Sequence, residues 1–117
     1  MVIIMFFKSN NITIDILSVL SLEWKDVNSH SGLRDFHALS FRSVGECEFI
    51  NSDKSFHAQS GDISFVPKYY EYAQKSKKEE LIVVHFDSCQ DLPNEIKIFK
   101  SKNQSYFERK FKELYEN

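Results

Sequence analysis

Between Ile12 and Trp24 the apolar side chains Ile12, Ile14, Ile16, Leu20, Leu22 and Trp24 fall on even positions, against Thr13, Asp15, Ser21 and Glu23 on odd ones. A period of two marks an antiparallel strand with one buried and one wetter face. Ser18 interrupts the apolar set while Leu17 and Val19 interrupt the polar one, which predicts a bend or bulge near Ser18. Asn28-Ser29-His30-Ser31-Gly32 has turn composition. Phe36 to Val44 reads as strand, ended by Gly45, with Glu46 to Ile50 as its continuation or partner. Asn51-Ser52-Asp53-Lys54 predicts a hairpin turn, followed by short strands at Ser55 to Gln59 and Ile63 to Val66. Tyr70 to Gln74 predicts another strand, and the charged run Lys75 to Glu80 a solvated turn. Leu81-Ile82-Val83-Val84-His85-Phe86 is apolar on both faces, the pattern of a strand buried from both sides, and Ile96 to Phe99 reads as one more short strand.

The last stretch changes period. Phe107, Phe111, Leu114 and Tyr115 recur at helical spacing, Ser105 and Glu108 fit a capping box, and Glu108 stands four residues before Lys112. Many short strands with Gly and Pro punctuation, then a helix, predict an all-β sandwich or barrel with a C-terminal helix. The helix runs to Asn117 with no Gly cap or Pro stop, so the expected protein continues past it.

Composition narrows this further. The 117 residues suit one core, and an aromatic share of 15% with eleven Phe and two Pro favours a ring-packed β core. Fifteen basic against seventeen acidic residues give a net charge of −2, so no basic excess for gripping nucleic acid is present. Cys47 and Cys89 form no CxxC pair and are expected as reduced, partly buried thiols. The apolar opening Met1 to Phe7 lacks a preceding basic region and a following small-residue cleavage site, and no stretch approaches membrane-spanning length. A cytoplasmic location without membrane attachment is expected.

The most informative string is Gly61-Asp62-Ile63-Ser64-Phe65-Val66-Pro67. Glycine admits a tight turn into the strand, Asp62 is suited to bonding backbone amides there, and Pro67 ends the strand where no ladder donor is wanted. The string resembles the second motif of cupins, in which Gly-Asp and Pro precede a metal-ligating His. That position is Tyr72 here, and the Gly expected two residues after Pro67 is Tyr69. No counterpart of the first cupin motif stands near Gly45, so no metal or other cofactor is expected.

A wider ordered set, Arg34…His37-x-Leu39-x-Phe41…Gly45, Gly61-Asp62…Val66-Pro67…Tyr72 and Glu80-Leu81-Ile82-Val83-Val84-His85-Phe86, resembles the sensor half of AraC-type (arabinose-operon regulator) transcription regulators. The resemblance covers roughly residues 34 to 87. It implies a cupin-like double-stranded β-helix (jelly roll) over residues 1–100 that holds a small-molecule effector, commonly a sugar or related metabolite. Residues 101–117 would begin the linker and dimerisation helix, with the DNA-binding units outside these residues. The expected ligand-facing residues are Arg34, His37, Arg42, Tyr72, Val83 and His85. Phe107, Phe111, Leu114 and Tyr115 are expected at a homodimer contact. His85 is the only polar side chain on its face of the double-sided strand, beside Leu81 and Val83, while His30 and His57 are expected to be exposed. The activity expected is binding and not catalysis. A stand-alone cupin enzyme would instead need His37, His57 and His85 to converge on a metal, and a carbohydrate-binding or scaffold module would share the same fold and pocket.

Overall fold

The computed structural model describes residues 13–117, so the apolar opening Met1 to Phe7 and Ile12 lie outside the described residues. Seven strands precede one helix: β1 (Ile14–Trp24), β2 (Val27–Ser31), β3 (His37–Asn51), β4 (Lys54–Gln59), β5 (Asp62–Val66), β6 (Tyr72–Ser88), β7 (Lys97–Lys100) and α1 (Gln104–Glu116). Every pairing among them is antiparallel.

Two long strands organise the domain. β3 and β6 pair along nearly their whole length, with register shifts between Arg42 and Val44 and between Val44 and Glu46. Gly45 takes φ +92° and Lys78 φ +34°, and a Cβ on Gly45 would stand 2.3 Å from the Lys78 carbonyl oxygen. Only glycine fits there, for both space and φ. On either side of this bend the two strands recruit different neighbours. Their outer halves join β1, β5 and β7 in the order β1-β6-β3-β5-β7, while their other halves pair with β2 and β4. The two layers close on a shared interior in which Ala38, Val66, Leu81 and Val83 of one meet Cys47, Phe49, Ala58 and Tyr72 of the other. The result is the all-β sandwich with a C-terminal helix that the pattern predicted, in the jelly-roll arrangement that the resemblance implied.

The bulge also switches side-chain parity. Interior positions are even before it (Ala38, Arg42) and odd after it (Cys47, Phe49) in β3, and the same switch carries β6 from Tyr72 to Leu81 and Val83. Register fixes which face each residue serves, so this one irregularity assigns the whole interior.

The back of the larger layer is covered by α1. Phe107 and Phe111 of the helix bury against Leu39, Phe41, Ile63, Phe65, Val84 and Phe86, with Leu114 packed beside them. Each ring buried this way stabilises the fold by about 1.5–3 kcal/mol. Phe107 and Phe111 are therefore core residues. Of the four residues expected at a homodimer contact only Tyr115 is well exposed, along with Tyr106 nearby.

Four other sequence expectations change. Val27–Ser31 is a strand and not a turn, because the first half of β6 offers it a ladder from Tyr72 to Ser76. The run Lys75 to Glu80 is the bent middle of β6, with Ser76 and Glu79 buried. The helix begins at Gln104 with Asn103 as its N-cap and no side-chain cap bond, so the Ser105–Glu108 box is not used. Both cysteines are free thiols as expected, but neither is partly buried, since Cys47 is buried and Cys89 exposed. The bulge in β1 falls between Ile16 and Ser18, where the broken alternation placed it. Lys112 Nζ stands 3.9 Å from Glu108 Oε2, the predicted pair along the helix.

Candidate functional site

The Gly61–Pro67 string builds one wall of the interior. Gly61 takes φ +88° and its amide donates to the Arg42 carbonyl at 2.7 Å. Buried Asp62 accepts from the Gln59 amide at 2.9 Å and from Lys100 Nζ at 2.6 Å, which ties the turn between β4 and β5 to β7. β5 stops at Val66, directly before Pro67. Tyr69, at the position where the cupin pattern carries Gly, takes φ +59°, and its amide donates to the Arg34 carbonyl at 2.7 Å. The turn thus holds a non-glycine residue in the left-handed region. Its effect is to anchor the segment entering β3 beside the start of β6.

That anchoring assembles the first of two polar clusters. Arg34 Nη2 donates to the Tyr72 hydroxyl at 2.7 Å. The Arg34 Cζ lies 5.4 Å from the Phe36 ring centroid and 5.8 Å from that of Tyr72, within cation–π range of both. Phe36 in turn meets the His85 ring at 4.5 Å between centroids, and His85 Nδ1 is 3.1 Å from Ser18 Oγ across the β1–β6 ladder. Burial, and then the neighbouring Arg34 charge, hold the His85 pKa below its ordinary value, so the ring is neutral at pH 7. Tyr72 is buried edge-on against Phe49, while Arg34, Phe36 and His85 remain half-buried and within reach of solvent.

The second cluster is sealed. Arg42 and Glu79 are 1% and 0% exposed and form a direct ion pair through Arg42 Nε and Glu79 Oε2. Trp24 Nε1 donates to Glu79 Oε1 at 2.9 Å, Gln74 Nε2 reaches the same oxygen at 3.4 Å, and Arg42 Nη1 donates to Ser64 Oγ at 3.2 Å. Gln74 also donates to Ser76 Oγ at 2.8 Å. Cys47 lies against this group, and burial pushes its thiol up to about 11. No buried side-chain nitrogen or oxygen among the described residues lacks a hydrogen-bond partner, as a charge pair this deep requires.

Of the six expected ligand-facing residues, the fold brings Arg34, Tyr72, Val83 and His85 to the interior side. Arg42 is also interior, but Glu79 and Ser64 occupy its guanidinium. His37 points the other way, between Phe65 (5.5 Å) and Phe86 (5.3 Å) on the helix-covered face, where Nδ1 accepts from the Lys68 amide at 3.1 Å. Burial, and then Lys68, lower its pKa. His57 lies on the surface, 3.5 Å from Glu46, and His30 is exposed. His37, His57 and His85 therefore occupy three separate places. Among the described residues no three His, Cys, Asp or Glu side chains come together as a metal would require. An outer hollow of about 480 Å³ near Asp26, Glu46, His57 and Lys75 is walled by charges, and Glu46 there already faces His57 and Lys77. Among the described residues no helix is long and apolar enough to cross a membrane.

Sequence reasoning missed Glu79, Phe36 and Ser18. Ser18 had a signal, as the polar residue at an interior-parity position of β1. Glu79 had none, because its parity depends on the bulge.

No protein-family model and no curated protein matches this chain. Solved structures similar to it in chain path include two vicilins. The crystal structure of vicilin from Corylus avellana (hazelnut) gives a TM-score of 0.47 at 15% identity, covering 88% of this chain and 37% of that one. That of vicilin from Solanum lycopersicum (tomato) gives 0.39 at 17% identity, covering 81% and 33%. This chain thus spans about a third of either vicilin chain. Likenesses this distant assign it no activity, ligand or partner.

Proposed function

We propose that this domain binds a small polar metabolite at the Arg34–Phe36–Tyr72–His85 cluster and serves as the effector-sensing half of an AraC-type transcription regulator. The observation that carries the reading is the contrast in saturation between the two clusters. One is closed and fully paired, whereas the other presents a half-buried cation, rings and a neutral imidazole at the edge of the sandwich interior. Rings with a few convergent polar groups are the usual make-up of a small-molecule site.

A route from site to helix exists across one strand. Val83 and His85 of β6 face the interior, while Val84 and Phe86 of the same strand pack in the cluster that holds Phe107 and Phe111. A ligand that favours one setting of β6 biases the seat of α1 by its differential affinity for the two settings. A homodimer through α1 would use the exposed Tyr106 and Tyr115, and DNA contact would belong to a domain beyond Asn117. The test is the gene past the codon for Asn117. A frame continuing into a basic segment with two helix-turn-helix patterns is expected. A frame without them sinks the regulator part and leaves a metabolite-binding cupin-like domain.

A further inference from the structure

Hydrogen-bond polarity at the open cluster specifies more than a polar ligand. Arg34 forms no ion pair among the described residues, and residues 1–12 contain neither Asp nor Glu to supply one. Arg42, by contrast, has its carboxylate in Glu79. The Arg34 guanidinium carries five N–H donors, and the structure gives one of its nitrogens a side-chain acceptor, the Tyr72 hydroxyl. That phenol, accepting from Arg34, keeps its own O–H to donate. When Ser18 Oγ–H donates to His85 Nδ1, the hydrogen of the neutral ring lies on Nε2, a further donor. The cluster therefore offers donors from Arg34 and Tyr72, and in that tautomer from His85 as well, and among the described residues no carboxylate stands within ion-pair distance of the Arg34 charge. The rings of Phe36 and Tyr72 lie within cation–π range of the guanidinium.

Resting on the metabolite-binding reading above, we infer that this site selects an anionic ligand, a small organic acid whose carboxylate is taken by Arg34 with the Tyr72 hydroxyl. A carboxylate accepts two parallel N–H bonds from a guanidinium, and such charge-assisted pairs are about twice as strong as neutral ones. The ligand's carbon skeleton would lie toward Phe36 and Val83, and any hydroxyl it carries would reach His85. A neutral sugar would leave the Arg34 charge desolvated without a counter-ion, which disfavours it.

The test is calorimetric titration of the 117-residue protein with two matched pairs of probes, D-glucuronate against D-glucose and benzoate against benzamide. At least one acid is expected to bind ten-fold or more tighter than its neutral partner. Arg34→Gln should abolish that preference, Arg34→Lys retain part of it, and Tyr72→Phe weaken the acid alone. Two-dimensional NMR should show the His85 ring signals moving with the acid and the His37 signals staying in place. Equal binding of acid and neutral partner overturns the anion assignment while leaving a metabolite site. Absence of binding by either acid at tens of millimolar overturns it as well, as does an acid preference that survives Arg34→Gln. None of these outcomes bears on whether the gene continues into DNA-binding units.

Discussion

Arg34 and Arg42 carry the same guanidinium, and both reach the inside of one sandwich, one just ahead of β3 and the other within it. Arg42 lies where no water reaches, so its charge is tolerable only beside Glu79, with Ser64, Trp24 and Gln74 filling out the remaining bonds. Arg34 sits at the half-buried edge, paired to a neutral hydroxyl and two rings. Burial converts one arginine into structure, while the other, half-exposed, has no carboxylate partner among the described residues. An interior arginine is thus a ligand candidate only once its carboxylate has been looked for.

The comparison breaks most visibly at Glu79. Replacing it with Ala leaves Arg42 charged and unpaired in the core, a loss of about 3–5 kcal/mol. Trp24 is the single tryptophan of the chain and donates to Glu79, so its fluorescence in a urea titration reads both the midpoint and the local environment. If the paired charges are dispensable as a unit, the double variant Arg42→Met, Glu79→Leu should be far less destabilised than either single change, and could match the native protein. A double variant as unstable as Glu79→Ala would mean that Ser64, Gln74 and Trp24 depend on the pair.

Arg34→Gln should behave differently. At the half-buried edge its stability cost is expected within about 1 kcal/mol, while acid binding is lost. A fall as large as that of Glu79→Ala would place Arg34 among the structural residues and dissolve the contrast.

Acid should act through His37 and His85. Both have folded-state pKa values below the ordinary 6.5, so the unfolded chain binds more protons as pH falls through that value. Stability is therefore full above pH 6.5 and declines below it, until the folded-state values are passed. Melting curves between pH 7.5 and 5.5 should show this slope, and His85→Gln should flatten it. Bound acid beside His85 should also flatten it by favouring the imidazolium.

The smallest effect is kinetic. Exposed Cys89 should alkylate with iodoacetamide quickly, and buried Cys47, its thiol pushed up to about 11, should do so only upon opening. Glu79→Ala should expose Cys47 to the reagent, whereas Arg34→Gln should not.

Much of this was written locally. The alternation from Ile14 to Trp24, the doubly apolar run Leu81 to Phe86 and the Gly61–Pro67 string determined strand type, the β1 bulge and the motif turn, since each depends on residues close in sequence. The ring spacing of Phe107 and Phe111 determined a helix with an apolar face. The resemblance put that face at a homodimer contact, whereas tertiary packing gave it to the back of the sheet. The strand character of Val27–Ser31 and of the Lys-rich middle of β6 arose only from partners distant in the chain. The bend at Gly45 and Lys78 then decided which parity faces inward, and with it the burial of Glu79 and the outward turn of His37. Periodicity reports two faces and not which is inside; a bulge exchanges them, and its effect is set by the strand across the ladder.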